Sequence, residues 1–229
     1  METVLKLVLL PGMDGVGLLF EPFLAVLPPD IEVEVFPLAS QGVQDYHEQA
    51  ELFAKKLTST STVILAESYS GRVAYELCQM DLPQLKGVIF AASFLSRPSA
   101  LLGLTSLAPA FLLKAKLLPD TWMGRLLFGQ FQSKELVKLF YRSIQQVEGS
   151  VLKQRLLNMA ALQCPEAPIR VPSIYIQAKG DTLVQKSAVK DFESICSNLE
   201  VHQVDGGHLL LQANPKACWD IVRNAFWAE

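Results

Sequence analysis

Short apolar runs with almost no charge alternate along this chain with segments whose apolar residues recur every three or four positions. Residues 4–10, 32–36, 62–66 and 87–92 read as the first four strands, and residues 173–177 and 199–204 as the fifth and sixth. A strand that is apolar at nearly every position has to be covered on both faces, which is the situation of a parallel sheet. Helical spacing marks the segments between them. Phe20, Phe23, Leu24 and Leu27 recur until Pro28-Pro29 ends the element, and Tyr46, Ala50, Phe53 and Leu57 mark a second helix behind Asp45. Further helices follow at 72–80, 187–197 and 215–228. This alternation predicts an α/β fold: a mainly parallel six-stranded sheet with helices on both faces, joined by right-handed crossovers.

Residues 97–168 break the pattern. No strand signal occurs there, and helical runs are expected at 101–118, 121–131, 133–147 and 150–162. The expected organisation is therefore a core made of residues 1–96 and 169–229, with a helical insertion, 97–168, between the fourth and fifth strands. The leucine content of the insertion exceeds the needs of one amphipathic face. Either a helical subdomain packs on the sheet, or a lid lines an apolar pocket above the carboxyl ends of the strands, where sheets of this type hold ligands.

The third strand runs into Ala66-Glu67-Ser68-Tyr69-Ser70-Gly71 and then into a helix. A sharp strand-to-helix turn strains the backbone at its central serine and pushes the hydroxyl out above the sheet. It leaves room only for small residues on either side, and Ala66, Ser70 and Gly71 are small. The literal pattern G-x-S-x-G fails at both outer positions while its steric rule holds; a serine that merely caps the helix is the alternative.

A serine hydroxyl needs a base to become a nucleophile at neutral pH, and imidazole suits that role. His208 follows the last strand in Asp205-Gly206-Gly207-His208, a turn that delivers it to the edge where Ser68 emerges. His47, on the second helix, and His202, inside the last strand, read as surface residues. The acid that orients the imidazole is expected in Gly180-Asp181 after the fifth strand, with Asp205 and Asp14 as competing carboxyls. The backbone amides of Met13, in the glycine loop after the first strand, and of Tyr69, at the start of the elbow helix, are the candidate oxyanion donors. Because that task falls to backbone, the Met13 and Tyr69 side chains are expected to be weakly constrained.

In the order Ser68, Asp181, His208, these loops resemble those of the α/β-hydrolase family over nearly the whole chain. Leu10-Pro11-Gly12-Met13-Asp14-Gly15 is similar to the family's oxyanion loop, with Pro11 where a histidine is usual. The two antiparallel lead-in strands usual in that family have no counterpart before residue 4, which raises the question of how that sheet edge is protected. The resemblance implies a serine hydrolase with an acyl-enzyme on Ser68. It would cleave an ester or thioester with an apolar acyl part, as the small lidded esterases and the biotin-pathway pimeloyl-ester hydrolase do. The run Ser68-Tyr69-Ser70-Gly71-Arg72 also looks like the elbow of the menaquinone-pathway synthase, in which an arginine holds a substrate carboxylate and the triad eliminates pyruvate. By that likeness Arg72 is a substrate-binding candidate, with Arg97 and Arg125 as further cationic groups; a surface charge is the plainer reading. A hydrolase-fold receptor that binds its ligand without turnover is the non-enzymatic alternative.

Composition narrows the classes. Half of the residues are hydrophobic, 19% are charged and the formal net charge is −3, with no basic run longer than Lys55-Lys56, so no nucleic-acid partner is expected. The four cysteines show no C-x-x-C spacing, which points to free thiols, a cytoplasmic location and no metal site. No cofactor motif is present. The longest uncharged apolar stretch contains Pro109 and is too short to span a bilayer.

Overall fold

The computed structural model describes residues 5–42, 44–57, 59–99 and 118–228. Six strands pair in parallel: β1 (Leu5–Leu10), β2 (Glu32–Val35), β3 (Ser61–Glu67), β4 (Leu85–Ala91), β5 (Ser173–Ala178) and β6 (Leu199–Val204), in the order β2-β1-β3-β4-β5-β6. Each falls within two residues of its expected position. Because all six run the same way, the loops after β1, β3, β5 and β6 share one edge.

Period two along the strands decides which of two cores a side chain joins. Val8, Ile64, Val88, Phe90 and Tyr175 point to one face, where they meet α2 (Tyr46–Ala54), α3 (Ser70–Cys78) and α7 (Val189–Ile195) through Phe53, Val73, Leu77 and Phe192. Their neighbours Leu7, Leu9, Leu65, Ile89 and Ile176 point to the other face. There they pack on α1 (Glu21–Leu24), α8 (Leu210–Ala213) and α9 (Pro215–Phe226) through Phe23, Leu211, Trp219 and Val222. Full burial of such a side chain is worth about 1.5–3 kcal/mol. A one-residue slip of any central strand would exchange both sets and lose it.

The remaining helices, α4 (Asp120–Phe128), α5 (Lys134–Gln145) and α6 (Gly149–Ala161), lie between β4 and β5 in the chain, as the interruption of the strand pattern predicts. Phe128, Val137, Ile144 and Leu152 form a third core with Leu19 and Leu209, residues of the loops at the carboxyl edge of the sheet. The helix expected at 101–118 lies outside the described residues, apart from Leu118.

Local physics explains where expectation and structure differ. The helix read through Leu27 is a 3-10 turn at Leu18–Phe20 followed by four residues of α1, after which Val26 and Leu27 donate three residues back. The residue preceding a proline avoids helical geometry, and Pro28-Pro29 lies just beyond. α3 starts two residues before its expected position because the elbow itself is its first turn. α8 was not expected: Leu209-Leu210-Leu211 reads as part of a loop by sequence alone. At the sheet edge formed by β2, Glu32 and Glu34 are exposed and pair with Lys6 of β1. Charge on an edge strand discourages pairing with another chain.

Candidate active site

Ser68 has φ +50°, in the left-handed region that a side chain enters only under local constraint. The constraint is legible. Ser68 N–H donates to Ala91 O of β4 at 2.9 Å, which carries the strand pairing up to the serine, and Gly71 N–H donates back to Ser68 O at 3.0 Å, which closes the turn. A Cβ on Gly71 would lie 2.5 Å from Cβ of Ser93, so nothing larger fits there. Ser70, in place of the usual glycine, is fully buried and its hydroxyl donates to Pro11 O, tying the elbow to the loop after β1.

Ser68 Oγ lies 2.8 Å from His208 Nε2, and His208 Nδ1 lies 2.8 Å from Asp181 Oδ2. The three groups named from sequence are thus brought together at one edge of the sheet. His208 arrives on the turn after β6. A Cβ on Gly207 would meet Leu127 O at 2.6 Å, and Leu209 N–H donates to that same carbonyl, so the loop is pressed against α4. The other oxygen of Asp181 accepts from Leu183 N–H at 2.8 Å and Val184 N–H at 3.0 Å. Burial alone would raise the Asp181 carboxyl; His208 and the Val184 and Leu183 amides outweigh it and hold the pKa below the ordinary value. Burial alone would lower His208; Asp181, through its charge and its hydrogen bond, outweighs it and raises the imidazole above 6.5. Such a chain of groups can take a proton from a hydroxyl and stabilise the imidazolium that results.

Met13 lines the same cavity as Ser68 and His208, and Tyr69 follows Ser68 at the head of α3. Among the described residues neither amide donates to a backbone carbonyl. The Tyr69 side chain is far from weakly constrained: it is buried, tilted against Tyr46 at 4.7 Å between ring centroids, and donates its phenol to Gln44 O at 3.0 Å. The sequence offers a candidate oxyanion donor there but not the strut beneath it.

The other candidates lie elsewhere. Arg72 is held by Glu76 at 3.1 Å and donates to Leu95 O and Gln163 O, and it does not line the cavity. Its guanidinium is committed to joining α3 to the segment before the insertion and to the stretch that follows α6. His47 and His202 are surface residues beside Glu51 and Glu200. Asp205 pairs with Lys179 at the surface, and Asp14 is buried and accepts from Ser143 Oγ at 2.6 Å. Arg125 borders a separate surface hollow with Trp122.

Over Ser68 and His208 lies a cavity of about 480 Å³ with an almost wholly apolar wall. Leu19 and Phe94 supply the sheet side; Phe140, Ile144, Leu156 and Met159 come from α5 and α6. Among the described residues, no group of three His, Cys, Asp or Glu side chains converges as metal ligands do, and no helix is long and apolar enough to cross a membrane.

Two residues around the site escaped the sequence reading. Glu67, beside Ser68, is buried and accepts from Gln212 at 3.2 Å; burial and then Asp14 push its carboxyl up to about 8. Arg155 of α6 is buried with three hydrogen-bond acceptors around its guanidinium. Both carried a signal: a carboxylate ending an apolar strand, and an arginine within the i, i+3, i+4, i+7 stripe of Leu152, Leu156 and Met159.

No family model and no curated protein sequence matches the chain. Solved structures do. A thermophilic esterase from Thermogutta terrifontis, with malate bound, superposes with a TM-score of 0.79 at 16% identity, over 97% of this chain and 89% of that one. The enol-lactonase from Burkholderia xenovorans LB400 gives 0.79 at 14% identity, over 97% and 91%. YbtT, a type II thioesterase of the yersiniabactin NRPS/PKS pathway, gives 0.71 at 15% identity, over 98% and 94%. With its parallel sheet, strand order and end-to-end superposition on these proteins, the chain has the α/β-hydrolase fold.

Proposed function

We propose that this protein is a serine hydrolase that cleaves a carboxylic ester or thioester with an apolar acyl group. The observation that carries the reading is the relay from Ser68 Oγ through His208 to Asp181, with 2.8 Å at each step, opening into an apolar cavity. In the first half-reaction Ser68 Oγ attacks the substrate carbonyl while His208 Nε2 takes its proton. The Met13 and Tyr69 amides receive the oxyanion of the tetrahedral intermediate, a role worth roughly 3 kcal/mol per donor. His208 then returns the proton to the departing alcohol or thiol, leaving the acyl group on Ser68. Water, deprotonated by the same imidazole, releases the acid. Asp181 keeps the tautomer with Nδ1–H and stabilises the imidazolium without taking the proton itself.

Residues 97–168 then act as a lid whose α5 and α6 supply the apolar wall. The names of the structural neighbours, an esterase, an enol-lactonase and a thioesterase, support acyl chemistry without choosing the acyl group. Hydrolysis is preferred over elimination of the synthase type because Arg72, the group on which the latter rested, is occupied by Glu76 and two carbonyls.

The test is a fluorophosphonate label mapped by mass spectrometry, beside a chain-length panel of p-nitrophenyl esters and acyl thioesters. The label should fall on Ser68, apolar acyl groups should turn over, and Ser68→Ala should lose both while keeping the fold. Retention of more than a few per cent of the rate in Ser68→Ala removes that residue as nucleophile. Labelling without turnover of any ester or thioester overturns the hydrolase reading, and neither labelling nor turnover points to a ligand receptor.

A further inference from the structure

We infer that Arg155 and Ser143, both from the helical block, are positioning residues that fix the oxyanion loop after β1. The inference rests on the hydrolase reading for its effect on rate, and on geometry alone for its effect on the loop. Arg155 is 1% exposed and heads the fully buried side chains in size among the described residues. Its Nη1 donates to Met13 O at 2.8 Å, its Nη2 to Ala39 O at 2.9 Å and its Nε to Gln44 Oε1 at 2.9 Å. A guanidinium is costly to bury unless its donors are all engaged. Here three of the five N–H donors bond to the loops after β1 and β2, and none of those three acceptors is a carboxylate.

The loop is held on both sides of Met13, the residue whose amide is the proposed oxyanion donor. Pro11 O accepts from Ser70 Oγ of the elbow, Gly12 O from Gly15 N–H at 2.9 Å, Met13 O from Arg155, and the Asp14 carboxyl from Ser143 Oγ at 2.6 Å. Two of these four bonds come from α5 and α6. The loop also fits closely over the arginine: a Cβ on Gly15, where φ is +71°, would lie 2.4 Å from Arg155 Nη1. Asn158, one turn further along α6, donates to Gln44 O, the carbonyl that also receives the Tyr69 phenol. One helix therefore braces the surroundings of both oxyanion donors. α5 and α6 are bolted to the catalytic edge, and rearrangement of the loop requires breaking buried polar contacts.

Donor placement matters because an oxyanion hole works by being preorganised, and a shift of about 1 Å costs on the order of 10²-fold in rate. Three variants, Arg155→Gln, Arg155→Lys and Ser143→Ala, separate positioning from simple support. In Arg155→Gln we expect kcat to fall by roughly 10–100-fold with KM within about twofold. Affinity for an apolar trifluoromethyl ketone, which forms an oxyanion, should fall in parallel, and affinity for the matching methyl ketone should not change. Arg155→Lys should recover part of the loss. Hydrogen exchange of the peptide covering residues 11–17 should accelerate while that of β1 stays protected.

Unchanged kcat and unchanged loop exchange in folded Arg155 variants would overturn the inference, as would an equal loss of affinity for both ketones. If the Arg155 variants do not fold, Ser143→Ala decides: faster loop exchange with lowered kcat supports the inference, and wild-type values for both overturn it. If the wild type itself neither labels nor turns over, the hydrolase reading falls, and loop exchange in the variants still decides the bracing.

Discussion

Replacing Glu67 by glutamine should flatten the decline of stability that the wild type shows as pH rises. Glu67 ends β3 almost wholly buried, and burial, followed by the Asp14 carboxyl, pushes its pKa from 4.5 up to about 8. In the unfolded chain the same group ionises at its ordinary value. Between the two values the folded state therefore holds one proton that the unfolded state has released. Stability then falls as pH rises, by about 1.4 kcal/mol per unit. From 4.5 to about 8 the loss amounts to about 5 kcal/mol. That is comparable to the whole stability of a marginal domain, about 5–15 kcal/mol.

Other groups do not reverse the sign. Asp14 is also raised, and the His208 pKa is raised above 6.5, so the contributions of both are lost as pH increases. Asp181 is lowered, so its contribution disappears only on acidification, below its ordinary range. A neutral carboxyl can accept from or donate to the Gln212 amide, and glutamine keeps both capacities at every pH. Urea unfolding of wild type and Glu67→Gln, followed by tryptophan fluorescence from about pH 5 to about pH 9, measures the difference directly. The variant should gain several kcal/mol over the wild type between those limits, with the gain levelling off at the alkaline end. Curves that stay parallel to within about 1 kcal/mol would show that Glu67 is not held neutral.

The wild-type kcat/KM should rise with pH through a midpoint above 6.5, since His208 is raised and, as the proposed base, acts when neutral. His208→Ala should lower kcat/KM by about 10²–10⁴-fold, and Asp181→Asn should move the midpoint down; an unmoved midpoint would detach Asp181 from the relay. Gly207→Ala should cost about 1–3 kcal/mol in thermal denaturation and reduce activity, because its Cβ would meet Leu127 O at 2.6 Å. An unchanged Tm would contradict the close approach of the histidine loop to α4. Leu156→Trp, on the cavity wall, should shift acyl preference to shorter chains in the ester panel, and an unchanged preference would place the acyl group elsewhere.

Much of the site was legible because its parts sit at the ends of strongly patterned elements. Once β3, β5 and β6 are parallel, Ser68, Asp181 and His208 share an edge by topology, and the small residues around Ser68 mark the turn. Arg72 shows the limit of motif reading. Its place in the chain matches a substrate-binding arginine, but Glu76, one helical turn away, and the carbonyls of Leu95 and Gln163 claim it. The bonds that hold Arg155 join residues far apart in the chain, and no local pattern encodes such distances.

Local sequence determined the strands, the sheet and the order of the three reactive groups, because side-chain periodicity and turn sterics act over a few neighbouring residues. Only the tertiary structure decided which polar groups became buried supports. It raised Glu67 to about 8, spent Arg155 on the loop carrying Met13, and turned Tyr69 into a strut under the site. Desolvation and hydrogen-bond partnership depend on what the rest of the chain packs against a group, and that is a property of the assembled fold.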